Sequence, residues 1–332
     1  MIEIDGSYGE GGGQIVRMAV ALSALTGKDI KIFNIRAKRS NPGLRNQHIT
    51  AINAVAKLCN ADVKGLRIGS KSIEFHPHKI KGGSYTFDIG TAGSITLVMQ
   101  ACLLPSLMAD DETYFKIRGG TDVKWAPPWD YFQNVFLNLL KKMGCNIESY
   151  LNQRGYYPAG GGEVEILIEP CKLKKLNFDE SIEKIEGIIN IANLPYKIAE
   201  RIKKSANEKL GENGMEASIA IEETTAESNG VGIVLWTKPK ILGADCLGER
   251  GKPAEQVGKE AANKLIQEIK SNVDLDERAV DQLLPYIAMT GGKFKCRHLS
   301  NHAMTEMWLI KKFIDINFDI KKNEIYEIEV KK

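Results

Sequence analysis

The chain has 332 residues, of which 43% are hydrophobic and 26% are charged, and its formal net charge is +3. This composition is ordinary for a soluble globular protein, and the length allows a large buried core and about two domains. So small a net charge does not by itself indicate nucleic-acid binding, and such evidence has to come from local clusters of charge.

The hydrophobic periodicity predicts a strand–helix–strand–helix–strand–strand unit that recurs along the chain. The first unit has strands at 2–4, 29–35, 62–68 and 72–76 and helices at 14–26 and 43–58. The second has strands at 85–88, 113–118, 146–151 and 163–169 and helices at 93–108 and 128–143. The last stretch repeats the second half or more, with helices at 277–288 and 302–313 and strands at 293–297, 316–320 and 324–330.

The segment from 183 to 275 interrupts this repeat and is more polar. It predicts strands at 186–192, 216–222 and 231–238 and helices at 196–210 and 252–271. We therefore predict an α/β (α+β) fold in which residues 1–182 and 276–332 form a large domain of repeated β-α-β-α-β-β units. Residues 183–275 would form a small inserted α/β domain.

A glycine turn, Gly9-Glu10-Gly11-Gly12-Gly13-Gln14, joins the first strand to the first helix. Glycines let a backbone approach a ligand closely, and a helix N-terminus presents unpaired N–H groups, so the turn suits a phosphate. Glu10 and Gln14 stand where their side chains could reach that ligand or a metal ion. A tight turn without a ligand is the alternative, because the Gly-Lys-Ser/Thr of a P-loop does not follow.

Basic residues cluster after the second strand, where Arg36, Arg39 and Arg45 flank an Asn-Pro-Gly turn. Planar guanidinium groups could bind phosphates there, with Gln47 and His48 at the start of an otherwise apolar helix. A solvated basic loop is the alternative.

Two strand-to-helix junctions of the second unit offer further polar groups. Gly90-Thr91-Ala92-Gly93-Ser94 precedes a helix that carries Gln100 within an apolar run. A buried glutamine needs hydrogen-bond partners, which either a ligand or the backbone could supply. The segment Trp125-Ala126-Pro127-Pro128-Trp129-Asp130-Tyr131 combines aromatic rings and a carboxylate that could line a nucleotide cleft.

The last repeat contributes Arg278-Ala279-Val280-Asp281-Gln282 and Tyr286 in one helix and His302 at the start of the next. Among the five histidines, His302 has the best placement for a nucleophile or base, although a lone histidine is more often structural. Asp281 could equally stabilise the helix start through its charge.

Compartment and membrane contact can also be inferred from the sequence. The six cysteines are scattered without a C-x-x-C pair or zinc-ligand spacing, which favours a reducing compartment. The longest apolar run, 95–108, is interrupted by Gln100 and Pro105 and is too short to span a membrane. We therefore expect a cytoplasmic protein without membrane contact.

Seven segments of this chain, in this order, resemble the motifs of the RNA 3′-terminal phosphate cyclase family. They span nearly the whole chain and are Gly9–Arg17, Asn41–His48, Gly90–Ser94, Gly119–Asp122, Tyr157–Gly162, Asp281–Leu283 and Ser300–His302. The resemblance implies the repeated-unit fold with its small insertion. It also implies an ATP-dependent enzyme that converts an RNA 3′-phosphate into a 2′,3′-cyclic phosphate. The implied intermediates are an adenylylated histidine and RNA-3′-pp-5′-A, with release of pyrophosphate and AMP.

The resemblance further implies roles for individual residues. His302 matches the adenylylated histidine, and Glu10 matches a carboxylate near the triphosphate and its divalent cation, Mg²⁺ or Mn²⁺. Positions that contact or flank the nucleotide are matched by Gln14, Gln100, Pro127, Asp130, Arg278, Ala279, Val280, Asp281, Gln282 and Tyr286. A phosphate-binding wall is matched by Arg17, Arg36, Arg39, Arg45 and Gln47.

The expected partner is an RNA with a 3′-terminal phosphate, and a homodimer is one possible assembly. Two other functions remain open. Non-catalytic relatives that act in ribosome biogenesis lack the nucleophilic histidine, which is present here as His302. An enolpyruvyl transferase has related repeated α/β units, but its chemistry needs no adenylylated histidine and its motif order differs.

Overall fold

The structure is a computed structural model that describes residues 1–331. Its first unit is a four-stranded sheet with the strand order β1-β2-β4-β3. The elements of this unit are β1 (Ile2–Asp5), α1 (Gly13–Thr26), β2 (Ile30–Phe33), α2 (Asn46–Leu58), β3 (Asp62–Lys64) and β4 (Ile73–His76). β1 and β2 pair in parallel, and β4 is antiparallel to both of its neighbours.

The second unit repeats this topology, with the strand order β5-β6-β8-β7 and the same parallel and antiparallel pairings. Its helices are α3 (Ile95–Ser106) and a composite helix in which α4 (Trp129–Tyr131) continues through a π-helical turn (Phe132–Phe136) into α5 (Leu137–Lys142). Its strands are β5 (Gly83–Asp88), β6 (Thr113–Gly119), β7 (Ile147–Gln153) and β8 (Gly162–Ile168).

The inserted segment forms a separate sheet with the strand order β10-β9-β11-β12. Its elements are β9 (Ile182–Ala192), α6 (Lys197–Gly211), β10 (Ala217–Thr224), β11 (Gly230–Pro239), β12 (Gly243–Leu247) and α7 (Ala254–Lys270). The helices α6 and α7 pack against each other and against this sheet. The final unit then supplies α8 (Glu277–Thr290), β13 (Gly292–Cys296), α9 (Asn301–Phe313), β14 (Asn317–Lys322) and β15 (Tyr326–Lys331), with the strand order β13-β15-β14.

The predicted fold class, an α/β (α+β) chain built from repeated units, is therefore confirmed. The hydrophobic residues form a larger cluster across the three units and a smaller one within the inserted segment. The domain boundaries at 182 and 276 stay a prediction, and residue 332 lies outside the described residues. Within residues 1–331, no helix is both long and apolar enough to cross a membrane.

Helix α1 lies at the centre of the larger cluster, because it packs against α2, α3 and α9. Every residue from Gln14 to Ala24 is buried. A mostly apolar helix of this kind is stable only between other layers. The packing of the helices brings the strand-to-helix junctions of the three units to one place.

Four details differ from the sequence predictions. Strand β12 was missed, since five residues that include Asp245 and Cys246 give little strand signal until β11 pairs with them. The predicted helix 43–58 begins only at Asn46, because Gly43 has φ +79 and Arg45 is extended. The predicted strand 62–68 ends at Lys64, before Gly65 with φ +78. The predicted helix 128–143 contains the π-helical turn.

Candidate active site

A cavity of about 900 Å³ lies where these junctions meet. Five helices contribute N-cap or first-turn residues to its wall, namely Gly12–Gln14 of α1, Gln47 and His48 of α2, Ser94 of α3, Asp276–Arg278 of α8, and Ser300 and His302 of α9. Helix N-termini carry partial positive charge and unpaired N–H groups, so this convergence favours an anionic ligand.

Three of these helix starts are fixed by side-chain caps. The Ser94 hydroxyl accepts a hydrogen bond from the N–H of Leu97, and the Ser300 hydroxyl accepts one from Ala303. The Asp276 carboxylate caps α8 in the same way through the N–H of Ala279. Such caps each stabilise a helix by about 1 kcal/mol, and they set where the cavity-facing residues begin.

The glycine turn is packed so closely that side chains are excluded at two positions. A Cβ on Gly13 would lie 2.1 Å from Nε2 of His48, and a Cβ on Gly9, which has φ +55, would lie 2.3 Å from Oγ1 of Thr305. The turn is thereby held between α2 and α9, which brings Glu10 and Gln14 to His302.

The ring of His302 is oriented by Gln14. The Gln14 amide nitrogen donates hydrogen bonds to the His302 carbonyl (3.1 Å) and to Oε2 of buried Glu306 (2.6 Å). Because both partners accept, the Gln14 amide oxygen faces Nδ1 of His302 at 2.6 Å, and Nδ1 must carry the hydrogen. Nε2 of His302 is then left for chemistry in the cavity.

Glu10 lies opposite that ring nitrogen. Its Oε2 is 3.3 Å from Nε2 of His302 and 3.5 Å from Nη2 of Arg39. Within residues 1–331, no group of three or more histidine, cysteine, aspartate or glutamate side chains could hold a metal ion. A divalent cation beside Glu10 would take most of its ligands from phosphate and water, as Mg²⁺ commonly does.

Arg17 is a buried cation with unused hydrogen-bonding capacity. It lines the cavity, and its Nε has no hydrogen-bond partner among residues 1–331. Burial lowers the pKa of Arg17 to about 10, against the opposing charge of Glu306. Because a buried unpaired donor is costly, the arrangement fits a ligand that supplies anionic oxygens.

His48 is a neutral donor beside Arg17. Burial, together with the charges of Arg17, Arg36 and Arg45, lowers the pKa of His48 to about 3. Its Nδ1 accepts the backbone N–H of Arg45 at 3.1 Å, so the hydrogen of the neutral ring is on Nε2. The sequence places His48 in the basic cluster but predicts no role for it.

The predicted basic wall is only partly assembled at the cavity. Arg36 and Arg39 line it, whereas Arg45 does not. One nitrogen of Arg36 donates to the carbonyls of Asn41 and Gly43 at 2.8 Å each, so part of this side chain holds its own loop. Burial lowers the pKa of Arg36, and the charges of Arg45 and Arg39 act in the same direction.

The cavity wall also includes predicted nucleotide-contacting residues, namely Gln100, Pro127, Arg278, Asp281 and Gln282. Arg278 pairs with Asp245 through two contacts, Nε to Oδ1 at 2.5 Å and Nη2 to Oδ2 at 3.1 Å. The Ser300 hydroxyl donates to Asp281, and burial raises the pKa of this carboxyl to about 7. The amide oxygen of Gln282 is buried without a partner in the described part of the chain.

Four residues expected beside the nucleotide do not line the cavity. Ala279 and Val280 face the hydrophobic core, and Tyr286 packs edge-on against Phe136 at 5.8 Å between ring centroids. Asp130 is buried in a cluster around Arg154. Their side chains serve the packing behind the wall, because helix periodicity turns them away from the residues that face the cavity.

The inserted segment contributes wall residues that the sequence did not predict. Asp245 of β12 and Lys264 and Glu268 of α7 face the cavity, as does Arg297, which pairs with Glu268 at 3.0 Å. Burial raises the pKa of Glu268 to about 7, and the charge of Asp276 also raises it. In the sequence, the charges of α7 are typical of a solvated helix face. Only the packing of the inserted segment against the repeats shows that they line the cavity.

The chain is similar in sequence to proteins of one known family. The sequence profile of the family described as "RNA 3′-terminal phosphate cyclase" matches residues 8–320. A protein of that name from Pyrococcus furiosus is 47% identical over 97% of this chain and 95% of its own length. One from Methanosarcina barkeri is 45% identical over 99% of this chain and 100% of its own length.

A third protein of the same name, from Archaeoglobus fulgidus, is 46% identical over 98% of this chain and 99% of its own length. Among solved structures, an EPSP synthase from Acinetobacter baumannii matches with 14% identity and a TM-score of 0.34, covering 98% of this chain and 64% of the synthase. A likeness at that score carries no argument for enolpyruvyl transfer. By its sequence over nearly its whole length, this chain belongs to the RNA 3′-terminal phosphate cyclase family.

Proposed function

We propose that this enzyme uses ATP to convert an RNA 3′-terminal phosphate into a 2′,3′-cyclic phosphate, with His302 as the covalent nucleophile. The observation that carries the proposal is the hydrogen-bonded chain from Glu306 through Gln14 to Nδ1 of His302. It fixes the tautomer that leaves the lone pair of Nε2 facing a cavity lined with phosphate-binding groups. A neutral imidazole is a competent nucleophile at physiological pH.

The reaction would proceed in three displacements at phosphorus. Nε2 of His302 attacks the α-phosphorus of ATP, and pyrophosphate leaves. An oxygen of the RNA 3′-phosphate then attacks the phosphorus of the His302–AMP adduct, giving RNA-3′-pp-5′-A and freeing the imidazole. Finally the neighbouring 2′-OH loses its proton and attacks the 3′-phosphorus, so that the ring closes and AMP leaves.

Activation by AMP explains why ATP would be needed. A phosphate monoester has no good leaving group, whereas its adenylylated form can release AMP. Splitting the reaction into easier steps is the gain from covalent catalysis, and the 2′-OH benefits from its intramolecular position. Because DNA has no 2′-OH, the last step also favours an RNA end.

Different residues would bind the triphosphate of ATP and the end of the RNA. Arg17, the start of α1 and Gln14 would bind the triphosphate, and Glu10 would hold a divalent cation, Mg²⁺ or Mn²⁺, against phosphate oxygens. When bound, such a cation would neutralise phosphate charge. Arg36, Arg39 and Gln47 of the wall would hold the RNA end, together with Arg45 from outside the wall. The homodimer and the cytoplasmic location stay predictions from the sequence.

The deciding experiment is transfer of label from [α-³²P]ATP to the protein. The unchanged enzyme should form an acid-labile, alkali-stable adduct, as expected for a phosphoramidate, and His302→Ala and His302→Asn should form none while staying folded. His298→Ala is the matched control, because His298 lies four residues earlier, is exposed and is outside the cavity wall. A normal adduct yield in the His302 variants would contradict the proposal. Absence of any adduct in the unchanged enzyme would instead favour a binding protein or an enolpyruvyl transferase.

A further inference from the structure

Trp125 is exposed in a way that folding alone does not explain. Its side chain and backbone are 93% accessible to solvent, and its φ is +63. A bulky residue rarely adopts this left-handed backbone region, at a cost of about 1–3 kcal/mol. The exposed indole also forgoes the stabilisation that burial of a large aromatic ring provides.

The conformation of Trp125 is held by fixed neighbours on both sides. The N–H of Asp122 donates to the Gly155 carbonyl at 3.2 Å, and the N–H of Trp129 donates to the Thr121 carbonyl at 3.0 Å. Adjacent Lys124 pairs with Glu249 of the inserted segment at 2.5 Å. Hydrogen bonds therefore hold the loop that carries the indole on both sides. A ring held in this way loses little conformational freedom when it binds a ligand.

Position and chemistry indicate what the ring contacts. Trp125 belongs to the cavity wall, next to Lys124 and close in sequence to Pro127, yet almost all of its surface faces solvent. A ligand enclosed by the cavity would contact buried groups such as Arg17, whereas a chain that enters from solvent must pass the rim. Nucleobases stack on aromatic rings regardless of base identity.

We propose that Trp125 is a stacking platform for an unpaired nucleobase at the 3′ end of the RNA substrate. The indole would hold RNA ends of differing sequence at the cavity mouth while the terminal phosphate reaches His302. This proposal rests on the proposed function for the identity of the ligand as RNA.

The first test measures binding of a short 3′-phosphorylated oligoribonucleotide without ATP. Trp125→Ala should weaken binding about 5- to 150-fold, the effect of one lost stacked base, and Trp125→Phe should retain most of the affinity. Tyr150→Ala is the matched control, because Tyr150 is 55% exposed but lies outside the cavity wall. That variant should bind RNA as tightly as the unchanged protein.

An RNA with an abasic 3′-terminal or penultimate nucleotide completes the test. At the position whose base stacks on Trp125, the abasic RNA should bind the unchanged protein and Trp125→Ala with nearly equal affinity. Transfer of AMP to the Trp125→Ala protein should stay within about twofold of normal. Unchanged RNA affinity in Trp125→Ala would overturn the proposal, and loss of ATP affinity or AMP transfer would place the ring on the adenine of ATP instead. The binding assay contains no ATP, so its result does not depend on whether His302 is adenylylated.

Discussion

At the residue scale, the cavity depends on single side chains whose hydrogen bonds leave one atom free for a ligand. Gln14 turns Nε2 of His302 outward, and His48 turns its own Nε2–H towards Gly13. Arg17 keeps an unpaired donor in a buried setting. The unpaired donor of Arg17 is costly to the folded protein unless a ligand completes it, which is common at functional sites.

The role of Glu10 can be separated from that of its neighbours by a metal titration. Glu10→Ala should slow AMP transfer to the protein and raise the Mg²⁺ or Mn²⁺ concentration needed for half-maximal rate, because it removes the carboxylate that contacts Nε2 of His302. The measurement is the initial rate of adenylylation across a range of metal concentrations. A lower maximal rate with an unchanged half-maximal metal concentration would show that Glu10 acts on His302 or Arg39 rather than on the cation.

The buried carboxyl of Asp281 predicts a pH-dependent stability. Its pKa is raised to about 7 by burial, so between about pH 4 and pH 7 the folded protein keeps a proton that the unfolded chain releases. The free energy of unfolding should therefore fall as pH rises through this window. Asp281→Asn removes the effect but keeps an acceptor for Ser300, so the variant should gain stability relative to the unchanged protein up to about pH 7.

Urea unfolding of the ligand-free protein at pH 4.5 and pH 8 would measure this difference. Asp319→Asn provides a control of opposite sign. Hydrogen bonding to Lys331 lowers the pKa of exposed Asp319, so any stabilisation by this carboxylate is present at neutral pH and is lost on acidification. A pH-independent difference for Asp281→Asn would contradict the prediction.

At the element scale, helix starts are placed by contacts that helix propensity alone does not anticipate. Alanine is the better helix former by about 1 kcal/mol, so an isolated α1 would gain from Gly13→Ala. In the folded protein the added Cβ would lie 2.1 Å from Nε2 of His48 and 3.0 Å from Nη1 of Arg17. The start of α1 can therefore lie against α2 only because residue 13 has no side chain.

We expect Gly13→Ala to lower the urea midpoint of unfolding and to reduce AMP transfer, because the buried His48 ring cannot move aside freely. Gly211→Ala at the end of α6 is the control, since its Cβ would meet no atom within 4 Å. That change should be neutral or slightly stabilising. Equal stability of the two variants would show that the start of α1 adjusts without cost.

At the scale of the whole molecule, the inserted segment is fastened to the repeats by a buried charge cluster. Arg154, whose side chain is 1% exposed, contacts Asp122 at 3.2 Å, Asp130 at 3.0 Å and Glu222 of β10 at 2.7 Å. Asn190 of β9 donates to Asp130 at 3.0 Å. This cluster fixes the inserted segment so that its residues Asp245, Lys264 and Glu268 complete the cavity wall.

Arg154→Met should destabilise the protein by about 3–5 kcal/mol, because it leaves buried carboxylates without their countercharge. Arg201→Met is a matched control. Arg201 is likewise paired with a glutamate, because it makes two contacts with Glu255, but this pair lies on the surface. Its loss should cost about 0–1 kcal/mol. Unfolding in urea compares the two, and similar effects would show that the buried cluster is not a major source of stability.

The repeated units could be predicted from the sequence, since hydrophobic periodicity and glycine turns are local signals. The sequence also singled out Glu10, Gln14, Gln100 and His302, which do line one cavity. These residues lie next to strand-to-helix turns or in apolar runs, where a polar side chain is conspicuous along the chain.

Which side chains face the cavity and which face the core could be seen only in the folded molecule. From the sequence, Asp130 and Tyr286 could line the cavity as well as their neighbours do. In the folded protein both side chains are buried behind the cavity wall. Lys264 and Glu268 carry no signal at all, because charge on a helix face is ordinary until another part of the molecule packs over it. A local pattern records which residues share an element, whereas the site depends on contacts between elements far apart in the chain.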